Sequence, residues 1–68
     1  MTVGSQVKQT IAGLKNARAT LKIYAIQSQS EETKRVLNEA VSTTGEIING
    51  MEERLKVLEF QEPQYKRR

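Results

Sequence analysis

Apolar residues recur along this chain at helical spacing. Val7, Ile11, Leu14, Leu21, Ala25 and Ser28 follow alternating steps of four and three, with Arg18 filling one step. That rhythm puts them on one face of a helix, predicted from about Val3 to Gln27. Thr2 or Ser5 is placed to cap its first turn. Val3, Ala17 and Tyr24 lie beside the seam. A second seam follows through Leu37, Val41, Thr44, Ile48, Met51, Leu55 and Leu58, and predicts a helix from about Glu31 to Phe60. Val36, Ala40 and Ile47 widen this second stripe.

The junction between the two seams is soft, because Gln27-Ser28-Gln29-Ser30 contains neither glycine nor proline. Ser30 suits the N-cap of a new helix, with Glu31 and Glu32 in its first turn, and Ser28 with Glu31 fits a capping box. A turn at about 28–30 would make an antiparallel hairpin, and one continuous long helix is the rival reading. Short helix pairs need partners to be stable, which favours the hairpin. Inside the second helix, Thr43-Thr44-Gly45-Glu46 mimics a capping box and Asn49-Gly50 is a turn dipeptide. The seam keeps its phase through both, so they read as weak points in one helix rather than as a third-helix boundary. Gly45 and Gly50 are expected on the non-seam side, each costing about 1 kcal/mol relative to alanine. The only proline, Pro63, should stop the helix. The expected organisation is therefore one all-α domain over residues 1–62 and a basic polar tail over 63–68.

A further stripe does not belong to the hairpin seam. Ala12, Ala19, Ile23 and Ile26 recur on another face of the first helix, and a lone hairpin would leave them wet. Two apolar faces on one helix predict more than one neighbour. The natural arrangement is a homo-oligomer: a dimer forming a four-helix bundle, or a larger helical assembly, with two-fold symmetry preferred.

Charge sharpens the pairing. Residues 1–30 carry Lys8, Lys15, Arg18 and Lys22 and no acid, whereas residues 31–62 carry all eight glutamates against four bases. Lys8, Lys15 and Lys22 recur every seven residues on one flank of the first seam. Glu52 and Glu59 occupy the same flank of the second, and in an antiparallel pair equivalent flanks meet. Contacts of Lys8 and Lys15 with Glu52 and Glu59 are expected, setting orientation more than stability. Glu32, Glu39, Glu46 and Glu53 form an outer row, read as a solvated stripe rather than as a surface for a basic partner.

Sixty-eight residues make one small domain, whose single core is marginal. There is no cysteine and no histidine, which removes thiolate ligands and nucleophiles, the commonest metal ligand and the commonest general base. No glycine-rich phosphate loop is present. No catalytic, cofactor-binding or metal-ligating residue can be nominated, and an enzyme is not expected. No apolar run is long enough to span a membrane and no leader opens the chain, so a cytoplasmic location is expected. The net charge of +3 and pI near 9.5 raise nucleic acid or an anionic membrane surface as an alternative partner. That pattern is weak for nucleic acid: Tyr24, Phe60 and Tyr65 are scattered, and the basic residues left over are mainly Lys66, Arg67 and Arg68.

Three stretches carry a resemblance: residues 1–17, Tyr24 to Glu32, and Leu55 to Lys66. Over essentially its full length the chain resembles a family of short, uncharacterised proteins from endospore-forming bacteria. These stretches are not functional motifs and carry over no catalytic residue. The resemblance implies a spore context, beside stage-five sporulation channel genes or joined to a membrane protein. It thus implies a helical module in the forespore or spore core, peripheral to the inner membrane, with a spore membrane protein as partner. Gly45 and Gly50 stand where better helix formers would be expected in such a family, which implies a less rigid second helix. The function expected is that of a non-enzymatic, self-associating interaction module in sporulation or germination.

Overall fold

The computed structural model describes residues 2–61, and the expected tail at 63–68 lies outside them. Two helices account for nearly all of that span: α1, Val3–Gln27, and α2, Glu31–Gln61. They pack against each other as an antiparallel hairpin, and no strand occurs among the described residues.

Local chemistry places the boundaries. Thr2 is extended, and its Oγ1 accepts a hydrogen bond from the Ser5 amide at 3.0 Å, so Thr2 rather than Ser5 caps α1. Ser28 closes α1 by donating its amide to the Tyr24 carbonyl at 2.9 Å. Ser30 then caps α2, its Oγ accepting from the Thr33 amide at 3.2 Å. The capping box expected of Ser28 and Glu31 is not formed. The Ser28 hydroxyl engages the backbone of Ser30 instead, because Ser28 already serves as the C-cap of α1. The hairpin therefore turns through three residues without glycine, and no described residue adopts a positive φ. Glu31 and Glu32 stand in the first turn of α2, where the helix dipole favours anions.

α2 is continuous through Gly45 and Asn49-Gly50, so neither motif breaks it. The rival single helix and the three-helix chain are both replaced by two helices. The core between them is thin. Ile11, Ala25, Val41 and Ile48 are its buried apolar residues, and among the described residues no large side chain is fully enclosed. Val7, Leu14, Leu21, Leu37, Met51, Leu55 and Leu58 line the same seam half-buried. Gly4 extends the seam by one step, buried beside Leu55, where even an added Cβ would lie 3.8 Å from Leu55 Cδ1.

Of the residues expected to widen the second stripe, only Ala40 is half-buried, while Val36 and Ile47 stay exposed; Val3, Ala17 and Tyr24, beside the first seam, are exposed as well. A two-helix contact is one seam wide, so residues on the next row outward have no second helix to cover them.

Candidate interaction surfaces

Polar residues inside the seam fix how the helices meet. Arg18 occupies a seam step that an aliphatic residue would otherwise fill. Its Nε donates to the Val41 carbonyl oxygen on the facing helix at 2.9 Å. The guanidinium passes over Gly45, where a Cβ would stand 3.1 Å from Nε and 3.2 Å from Nη2. Gly45 therefore faces the partner helix, contrary to the expectation that it lies off the seam. Its missing side chain gives the guanidinium room to reach a helix carbonyl. Thr44, the polar seam residue of α2, satisfies its hydroxyl within its own helix by donating to the Ala40 carbonyl at 2.7 Å. No buried polar side-chain atom is left unsatisfied among the described residues.

The hairpin is a slab, with extents of 51 × 16 × 11 Å. It has two broad faces, each shared by both helices, and two narrow edges, each the back of one helix. Two ion pairs cross one broad face. Lys8 Nζ lies 3.2 Å from Glu59 Oε2, and Lys15 Nζ lies 2.9 Å from Glu52 Oε2. Lys22, the third member of the row, makes no ion pair among the described residues. The sequence position that continues the Glu59, Glu52 row upward passes through Gly45 to Asn38, so no acid stands on that flank for Lys22. A shallow open groove of about 420 Å³ lies on this face, lined by Lys15, Arg18, Gly45, Ile48, Asn49 and Glu52. It holds no nucleophile beside a base, and the Lys15 and Glu52 charges are spent on each other.

The back of α2 carries Glu32, Glu39, Glu46 and Glu53, all exposed. Three of them are partnered locally: Arg35 bridges Glu32 at 2.8 Å and Glu39 at 3.3 Å, and Lys56 reaches Glu53 at 3.5 Å. The back of α1 carries Ala12, Ala19, Ile23 and Ile26, all exposed, with Ile23 at 52% and Ile26 at 79% of full exposure. The structure thus brings Lys8 and Lys15 together with Glu59 and Glu52, and leaves the Ala12–Ile26 stripe uncovered.

The second broad face was not singled out by sequence. It is reached by stepping alternately three and four residues from Val3 to Gln27 in α1, and from Thr33 to Gln61 in α2. The first walk meets no charged residue. The second meets Arg54 alone, in a chain of which charged residues make up 28%. Tyr24, Val36, Ile47 and Val57 stand exposed on it, and Gly13 and Gly50 open onto empty space. The signal that reveals it is the missing charge on both helices at once, which becomes meaningful only when their relative rotation is known.

Among the described residues no helix is long and apolar enough to cross a membrane, and no three acidic side chains gather as a metal site would require. The profile of DUF1657, a protein family of unknown function, matches residues 7–55. That is most of the hairpin and most of the chain, which belongs to this family. No curated protein and no solved structure matches it.

Proposed function

We propose that this DUF1657 protein is a non-enzymatic helical module that works by self-association. The observation that carries this reading is the mismatch between its core and its surface. Among the described residues four apolar side chains are buried between the helices, while Val3, Ile23, Tyr24, Ile26, Val36 and Ile47 stay about half exposed or more. Ordering a chain of this length costs backbone and side-chain entropy that so thin a core offsets poorly. Burying the exposed apolar rows against another helical pair supplies the missing stabilisation, as in four-helix bundles.

The basic residues of α1 support this reading over binding to nucleic acid. Lys8 and Lys15 each stand beside a carboxylate, which lowers the positive potential that α1 would offer to phosphates. The proposal extends to a site of action in the forespore or spore core, beside a membrane protein of the spore, a reading that the family resemblance supports. A fluorescent fusion spread evenly through the sporulating cell contradicts that placing.

Thermal unfolding at several protein concentrations tests the association. A transition temperature that rises with concentration supports it, because an assembly is stabilised by mass action. A well-folded protein with a concentration-independent transition and monomer mass overturns it.

A further inference from the structure

We infer that the uncharged broad face, and not the back of α1, is where a second copy of this chain docks, about a two-fold axis. The inference rests on the self-association reading and assigns its surface.

The hairpin has four sides, and charge sets two of them apart. One broad face is crossed by the Lys8–Glu59 and Lys15–Glu52 bridges. The back of α2 is a glutamate row with its local bases. The back of α1 is also free of charge, but it belongs to one helix, and its large apolar residues, Ile23 and Ile26, gather near the turn end alone. The remaining broad face draws exposed apolar residues from both helices: Val3 and Tyr24 from α1, and Val36, Ile47 and Val57 from α2. Arg54 is the single charge in the rows that form it.

Size and charge both select a second copy as the occupant. The face runs the whole 25-residue length of α1, about 37 Å at 1.5 Å per residue, and is two helices wide, the scale of a helix-pair contact in a four-helix bundle. A charged partner would call for complementary charge, and this face has almost none to offer. A second copy presents the same length and the same neutral surface, and isologous contacts need that self-complementarity. Docking there also leaves the glutamate row and the bridged lysines in water. Gly13, Ala17 and Gly50 keep the surface low, so the backbones of two hairpins can approach closely. Covering this face converts Ile47 and Val36 from surface to core and gives each seam a second layer.

The test compares two double substitutions in the full chain by sedimentation equilibrium, with far-ultraviolet circular dichroism on the same samples. Val36→Glu with Ile47→Glu places charge on the broad face, using a residue with good helix propensity. Ile23→Glu with Ile26→Glu does the same on the back of α1. The expected result is a wild-type dimer, a broad-face variant whose dimer dissociates at least about 100-fold more readily, and an edge variant that stays dimeric. A dimer that survives the broad-face substitutions overturns the assignment, as does one dissociated by the edge substitutions alone. In both cases self-association itself stands. A wild type that is monomeric throughout overturns the underlying reading instead. Should the broad-face variant lose its helicity, single cysteines decide, since the chain has none of its own. Ala17→Cys is expected to give a covalent dimer with a short bis-maleimide, and Ala12→Cys is not. The reverse pattern places the contact on the edge.

Discussion

The guanidinium of Arg18 lies across the hairpin above Gly45, with its Nε 2.9 Å from the carbonyl oxygen of Val41 and 3.1 Å from where a Cβ on Gly45 would stand. A basic side chain in an aliphatic seam would ordinarily weaken the packing. Here a helix carbonyl that already serves its own ladder accepts a further bond, and a residue without a side chain clears the path. The pair ties one level of α1 to one level of α2, which makes it a register pin. Moving α2 by one turn would put a side chain where the guanidinium passes.

Gly45 and Arg18 are therefore expected to be coupled. Gly45→Ala raises helix propensity by about 1 kcal/mol, but its methyl group crowds the guanidinium. In an Arg18→Ala background the crowding is gone and the full gain should appear. A double-mutant cycle by urea unfolding should give a coupling of about 0.5 kcal/mol or more. Strict additivity would mean that Arg18 swings aside at no cost and does not pin the register.

The caps give a second expectation. Ser30→Ala removes the acceptor of the Thr33 amide at the start of α2 and should lower stability by about 1 kcal/mol. Ser28→Ala, whose hydroxyl contacts only the turn backbone at 3.3 Å, should cost less. Equal losses at both positions would contradict the assignment of Ser30 as the cap that matters.

The crossing bridges are exposed and should be weak. Lys15→Glu faces Glu52 with a like charge and should destabilise by under about 1 kcal/mol, and adding Glu52→Lys should restore most of the loss. Both effects should shrink in 1 M salt, where screening reaches about 3 Å. A loss of several kcal/mol would show that the bridge is a buried pair rather than a surface one.

These expectations mark what could be read from sequence. Both helix spans follow from a four-three rhythm that is local to each helix of the hairpin, and the caps at Thr2 and Ser30 follow from local hydrogen bonding. The lysine row and Glu52 and Glu59 share seven-residue spacing, and spacing alone defines a flank. What could not be read is whatever depends on how far each helix is rotated about its own axis. Val36 and Ile47 look like a widened seam until the packing shows them facing water. Gly45 looks like an off-seam weakness until Arg18 is found lying over it. The uncharged face is assembled from two helices and has no signature in either one.

Ile48 and Ile47 should separate core from surface. Ile48 is buried in the seam, so Ile48→Ala should cost about 2–5 kcal/mol whether or not the chain associates. Ile47 is 49% exposed in the single hairpin. Ile47→Ala should cost little at dilutions where the hairpin is alone, and clearly more at concentrations where it is paired. A cost at Ile47 that does not change with concentration would contradict its burial on association.

The most direct measurement is the solution mass of the unmodified chain over a hundred-fold range of concentration, by sedimentation equilibrium with helicity recorded in parallel. The account predicts a dimer of high helicity that dissociates on dilution into less helical hairpins, because the core of each is thin. A fully helical monomer at every concentration would contradict it, by showing that four buried apolar residues and one arginine pin suffice to hold the hairpin closed.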